Sequence, residues 1–295
     1  MTSVPRVWPI LAWFVVLGPR VAGAQNAWTP PPKSLGLDLS YQLGYGTKSE
    51  NLEAPVTHQY FIPDVEYGII ENLAVDASLP ILAVKADAGM FAHGSWDDGS
   101  YHAAPTDLRS NIRYRIPAAF LSITPQIGGS VPVRDYETRG FAAAGRHLKA
   151  AYFGVNVGAD LDEYIPRTTV QLLYEFALVE KFKEAGPEGE AFSQNYSVFT
   201  ALIGHSIHRF SMFAGIDYHH QHDGIRFDDF GSISMNLRMH HDGLLIERIV
   251  LLGGGASYSI KDNVDIYASV RIFAWGENTH NSSIFAVGGS WDFNL

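Results

Sequence analysis

From Leu35 onward the chain alternates. In LGLDLSYQLGY the positions Leu35, Leu37, Leu39, Tyr41, Leu43 and Tyr45 are apolar or aromatic, while Asp38, Ser40 and Gln42 stand between them. A period of two over that length predicts a β-strand with one oily and one wet face. The signature recurs over roughly 56–69, 72–85, 105–116, 119–133, 147–160, 167–180, 194–206, 210–221, 248–260 and 264–275. It returns in the final stretch IFAVGGSWDFNL, where Phe285, Val287, Gly289, Trp291, Phe293 and Leu295 form one apolar or small series.

The connections alternate too. Tight turns are expected at Glu71-Asn72, at Pro117-Ala118, around DEYIPR, at HSIHR and at KDN. Between these hairpins lie longer polar segments, among them KADAGMFAHGSWDDGSYHAAP, RDYETRGFAAAGRH and EKFKEAGPEGEAFSQ. Short turns on one side and long loops on the other predict an all-β fold: a transmembrane antiparallel up-and-down barrel with periplasmic turns and extracellular loops. A first strand that rises and a last that returns require an even count. About twelve strands result if 222–247 is one external excursion. SISMNLRM within it also alternates. A fourteen-strand reading has to split LLIERIVLLGGGASYSI into halves shorter than the roughly 9–11 residues a tilted spanning strand needs.

Alternation alone does not say which face points inward. A soluble barrel turns its apolar face in; an outer-membrane barrel turns it out. Strand length favours the membrane form, because runs of roughly 11–15 residues exceed the usual 5–6 of soluble sheets. Aromatic residues near strand ends on the oily face, such as Tyr41, Tyr45, Tyr67, Tyr114, Tyr174, Tyr218, Tyr258 and Trp291, match interfacial girdles. The terminal strand then has a reason for its oily face: it closes the ring against the first strand and leaves no unpaired edge in lipid.

The N-terminus sharpens this picture. Arg6 precedes the apolar run VWPILAWFVVLG, and Ala22-Gly23-Ala24 supplies small residues for signal-peptidase cleavage, so 1–24 reads as a signal peptide. A run of that length is well short of the ~20 residues of a membrane-spanning helix. A Pro-rich lead, 25–34, follows, and the barrel is expected over 35–295. The chain has no cysteine, which excludes a disulfide framework and a thiol metal site. A net charge of −10, more acidic once Arg6 and Arg20 leave with the signal, argues against a nucleic-acid partner.

Three stretches resemble a known family. IPDVEYGIIENLAVDASLPIL, TDLRSNIRYRI and ITPQIGGSVPV are similar, in that order, to segments of the outer-membrane barrels grouped under the name "MetA-pathway of phenol degradation", over roughly residues 56–134. The resemblance implies a barrel in the company of hydrocarbon and fatty-acid channels, admitting small organic or aromatic compounds with no cofactor. Its expected partners are outer-membrane lipid and lipopolysaccharide, the barrel assembly machinery and the transported solute. Pro105-Thr106-Asp107-Leu108 replaces a glycine-led version of the family motif, and Val131-Pro132-Val133 lacks the Gly that usually follows.

Candidate functional residues come from the wet face. Asp38, Asp64, Glu66, Asp76, Arg109, Arg113, Arg115, Glu175, Asp217 and Arg271 are expected to line the lumen, where they would either select solutes by charge or tie the wall together as ion pairs. Acids outnumber arginines there, so an open pore would favour cations. DYHHQHDG and MHHDG bring His220, His222, His240 and His241 into outer loops as metal-ligand candidates, although a polar loop rich in His by composition is the better account of them. His220 and His222 share a strand face and His219 points away from it. Catalysis is not expected: neither His205 with Ser206 nor His280 with Ser282 offers a clear nucleophile–base pair. The triple glycine Gly253–Gly255 reads as a bend or a widened lumen.

Overall fold

In a computed structural model, residues 27–47, 56–86, 94–183, 191–225, 245–277, 279 and 281–295 are described. The expected signal peptide lies outside them. The first strands are β1 (Ser34–Thr47), β2 (Val56–Ile70), β3 (Leu73–Ser78) and β4 (Ile81–Ala86). Then come β5 (His102–Pro105), β6 (Asp107–Tyr114), β7 (Ile116–Ala118), β8 (Leu121–Pro132), β9 (Ala150–Asp160) and β10 (Thr168–Val179). A small outer ribbon of β11 (Phe182–Lys183) and β12 (Ala191–Phe192) precedes β13 (Tyr196–Ile207), β14 (Phe210–Gln221), β15 (Arg248–Lys261), β16 (Val264–Glu277) and β17 (Asn281–Asn294).

These pieces make twelve staves. β3 and β4 both pair with β2 and form one stave, broken at Pro80, which has no N–H for the ladder. Across from that break, the Thr106 backbone N–H and side-chain hydroxyl both donate to the Pro80 carbonyl, at 2.9 and 3.1 Å. β5, β6 and β7 likewise form one stave, between the β3–β4 stave and β8. β1 pairs with β2 on one side and with β17 on the other, so the ring is closed and antiparallel throughout.

The tight turns lie where the pattern put them, with one shift. β7 carries the pairing through Ala118, and the turn is Ala119-Phe120, with Ala119 in the left-handed region at φ 53°. Pro117 sits inside the ladder opposite Ser122, not in the turn. β14 and β15 are neighbours in the ring, with no described strand between them; 226–244, SISMNLRM among them, lies outside the described residues.

The structure also decides the sign of the alternation. On β2 the inward series holds Asp64 and Glu66, both buried, while Phe61 and Val65 are 43% and 40% exposed. On β17 the outward Phe285, Val287 and Phe293 are exposed and the inward Ala286 and Ser290 are buried. Polar groups are inside and hydrocarbon outside, the arrangement a lipid environment demands. The triple glycine does not break the strand: β15 runs through it, and its register shifts against β16 fall on either side, at Val250/Leu251 and Ser259/Lys261. At Gly253 the space goes to Arg271, since a Cβ there would lie 2.9 Å from the arginine's Cγ.

Candidate functional site

The lumen is layered. At its periplasmic end the Pro-rich lead enters the ring. Ala27 is fully buried; its N–H donates to Gln171 Oε1 at 3.1 Å, and its carbonyl accepts from Ser122 Oγ at 2.6 Å and Thr124 Oγ1 at 2.5 Å. Gly158 makes room for this approach, because a Cβ there would meet Ala27 Cβ at 2.5 Å and the Trp28 ring at 2.9 Å. Beside Trp28 a cavity of about 360 Å³ opens between the lead and the wall, lined by Gln171, His205, Phe213 and Asp265 among others.

The middle layer is a belt of matched charges. Arg109 Nη2 lies 2.5 Å from Glu175 Oε2, which also accepts from Gln126 Nε2 at 2.9 Å, and the guanidinium sits 4.1 Å above the Tyr152 ring. Arg113, only 1% exposed, meets Glu66 and, at 3.4 Å, Asp76, which accepts a further bond from Asn111. Arg271 Nε donates to Asp217 Oδ2 at 2.5 Å, and Thr200 Oγ1 donates to Oδ1 at 2.8 Å. Tyr267 donates to Asp38 at 2.7 Å, and Arg115 donates to Ser122 at 3.1 Å. Asp64, Glu66, Asp76, Arg113, Glu175, Asp217 and Arg271 are buried inside the ring. The belt arginines Arg109, Arg113 and Arg271 each meet a carboxylate on another stave, so their charges tie the wall together.

The outer layer differs from the expected polar lining. The inward series of β2 turns apolar above Asp64, at Ile62, Tyr60 and Val56, and meets Leu82, Val84 and Ala86 of β4. Phe141, Ala142 and Ala144, from the segment between β8 and β9, fold in against them. That segment is pinned by Asp97, which accepts from the backbone N–H of Phe141 at 3.2 Å and of Ala142 at 2.7 Å. Ile249 and Leu251 of β15 and Ile284 of β17 form a second apolar patch.

A polar cluster on β13, β14 and the segments beside them is one that strand periodicity does not mark, because Arg146 and Glu247 stand outside the strands. Arg146 Nη2 donates to Gln221 Oε1 at 2.8 Å. Burial holds the Arg146 guanidinium below its ordinary value. Glu247, 3% exposed, approaches His219 at 4.0 Å, and burial pushes its carboxyl up to about 8. The His219 ring lies 5.1 Å from that of Tyr196, tilted against it, and Gln194, two residues before Tyr196, is fully buried.

The histidines proposed as metal ligands divide. His220 and His222 share the lipid side at the outer rim, with ring centroids 4.5 Å apart. Their nitrogens are engaged: His220 Nδ1 with Tyr218 at 3.1 Å and His222 Nε2 with Ser197 Oγ at 2.7 Å. His240 and His241 lie outside the described residues. Among the described residues no group of three His, Cys, Asp or Glu is placed to hold a metal. The Ser197–His222 contact is a hydroxyl–imidazole pair that sequence proximity did not suggest, since register across β13 and β14 creates it. Ser197 Oγ is shared with Tyr174 at 3.1 Å, and no described carboxylate orients His222 as a hydrolytic triad requires.

No protein-family model matches the chain, and no curated relative matches it. Solved structures do. The COG4313 outer membrane channel from Pseudomonas putida F1 superposes with a TM-score of 0.68 at 12% identity, covering 92% of this chain and 99% of that one. The NanC porin gives 0.52 at 10% identity, covering 86% and 98%. The KdgM porin in complex with disordered oligogalacturonate gives 0.50 at 8% identity, covering 88% and 99%. At such identities the likeness is one of fold: this chain has the closed antiparallel architecture of outer-membrane β-barrel channels.

Proposed function

We propose that this chain is an outer-membrane channel that admits small molecules passively, hydrophobic and aromatic ones included. Its signal peptide is removed on export, and the barrel sits in the outer membrane with its long segments facing outward. The observation that carries the reading is the enclosed polar face inside an oily ring. A soluble binding barrel has no use for exposed Phe285, Val287 and Ile112 on its outer wall. The COG4313 neighbour and the resemblance to the phenol-degradation barrels support the same reading.

This reading assigns the narrow points to two segments that pack inside the ring and do not belong to the wall. The lead at Ala27 closes the periplasmic end, and Phe141–Ala144 occupies the outer half. Passage is therefore restricted to small solutes and is controlled by how far these segments yield. The buried, triply bonded Ala27 also favours a second reading, a plugged structural or adhesive barrel whose outer loops bind a ligand or metal. Planar-bilayer conductance separates the two. The channel reading expects a small steady current from the full barrel and a several-fold larger one from a variant lacking 25–32. Silence from both at every voltage would sink it in favour of the plugged form.

A further inference from the structure

The cavity beside Trp28 is walled by the periplasmic ends of six staves. Asp160 is the last residue of β9, Thr169 the second of β10, Ser206 the last but one of β13, Ser211 the second of β14 and Asp265 the second of β16; Ser259 lies two short of the end of β15. Register joins these positions into a row. Ser206 faces Ser211 across β13 and β14, Ser211 faces Ser257 across β14 and β15, and Ser259 faces Asp265 across β15 and β16. Period two turns the row inward, since Ser206 shares the parity of buried Thr200 and Ser211 that of buried Asp217. Ser206 and Ser211 bond each other at 2.9 Å, whereas the hydroxyls of Thr169, Ser257 and Ser259 bond to none of the described residues.

The lead adds an aromatic wall to this row. Trp28 lines the cavity, with its ring where a side chain on Gly158 would otherwise stand. Gln171 accepts the Ala27 N–H through Oε1, which leaves its Nε2 to donate. Asp160 Oδ1 accepts from the Asp162 backbone N–H at 3.0 Å, which leaves Oδ2 to accept.

The chemistry of an occupant follows from what lines the space. Among the described lining residues two are carboxylates and none is lysine or arginine, so an anion finds repulsion and no cation to hold it. A bare hydrocarbon would strip water from the hydroxyl row and return no hydrogen bonds. A solute with several hydroxyls does return them, donating to the carboxylates and exchanging bonds with the serines and Gln171. Its C–H face can pack on the indole ring. The volume of about 360 Å³ lies at the low end of the range of small-molecule sites, which suits one ring and not a chain of them.

We propose that the serine row of β13, β14 and β15, together with Asp160, Gln171, Asp265 and the Trp28 ring, forms a binding site at the periplasmic mouth for a neutral polyhydroxylated solute of one ring, a monosaccharide or cyclic polyol. The inference deepens the channel reading and rests on it, because a solute crossing the barrel passes this mouth.

The test is saturation-transfer NMR on the refolded full barrel, in micelles of a detergent without a sugar head group. Four probes are titrated: methyl glucoside, its anionic counterpart methyl glucuronide, phenol and tetramethylammonium. Methyl glucoside is expected to bind at least fivefold more tightly than each of the others. Trp28→Ala is expected to weaken glucoside binding at least tenfold and Trp28→Phe to retain most of it. Asp265→Asn is expected to narrow the gap between glucoside and glucuronide several-fold, a change that a merely structural role would not produce. Heat-modifiable gel mobility establishes that each variant has folded. No glucoside binding, tighter binding of any other probe, glucoside binding that survives Trp28→Ala in a folded barrel, or a gap that Asp265→Asn leaves intact would overturn the proposal. Bilayer conductance is read separately. A silent barrel that still binds the glucoside loses the channel reading and keeps the site, and a conducting barrel that does not bind it keeps the channel and loses the site.

Discussion

The middle of the lumen and its outer end hold similar side chains under opposite rules. In the belt, Arg113 is as deeply buried as any leucine of a soluble core, and carboxylates from two staves meet it. Above the belt, Arg146 is half-buried, and its hydrogen-bond partner is the amide oxygen of Gln221. Matched charges across staves hold a wall at fixed register. The contrast teaches that the inward charges of the belt serve the wall.

The sharpest way to break the contrast is to unmatch the belt. Arg113→Met strands Glu66 and Asp76 in the interior and is expected to lower unfolding stability by about 3–5 kcal/mol, read by denaturant titration in micelles or liposomes. A smaller loss would mean that water reaches the belt and shares its charge. Next comes the lead. Gly158→Val places a side chain where Ala27 and Trp28 now lie, so the lead should leave the lumen and conductance should rise, approaching that of the variant lacking 25–32. An unchanged current would show that the lead does not set the periplasmic constriction.

A third prediction concerns pH. Glu247 has a folded value of about 8, above its ordinary 4.5, so the folded barrel holds this proton more tightly than the unfolded chain does. Its stabilising contribution is full below about pH 4.5 and is lost as pH rises through about 8. Glu247→Gln should flatten the fall in stability over that window; a variant with the same pH profile as the parent would refute the assignment. The smallest effect belongs to the rim. Arg248 and Glu277 pair at 3.2 Å with 41% and 50% of their side chains exposed, and Arg248→Ala should change stability by no more than about 0.5 kcal/mol.

Much of the fold was legible because the membrane imposes one period on every stave. Strand number, turn sides and the closure of IFAVGGSWDFNL against β1 all follow from alternation and parity. The turn at Ala119-Phe120 slipped because proline is usually read as a turn residue, whereas Pro117 here occupies a ladder position. The inward direction of Asp64, Glu66, Arg109 and Arg271 was legible for the same reason. Their partners were not, since Arg109 and Glu175 are 66 residues apart and meet only through barrel curvature and shear. The apolar outer lumen had a visible signal that was easily passed over: the inward parity of Asp64 and Glu66 continues through Ile62, Tyr60 and Val56. Arg146, Gln194 and Glu247 carried no such mark, because they stand between strands where period two says nothing.

The most direct test of the contrast is the unfolding free energy of Arg146→Met beside that of Arg113→Met, measured in the same micelles without added solute. Removing a half-buried charge that has no carboxylate within ion-pair distance should change stability little, while the belt variant loses about 3–5 kcal/mol. If Arg146→Met loses as much as Arg113→Met, the outer cluster is another piece of wall, and the division between a matched belt and an unmatched cluster is wrong.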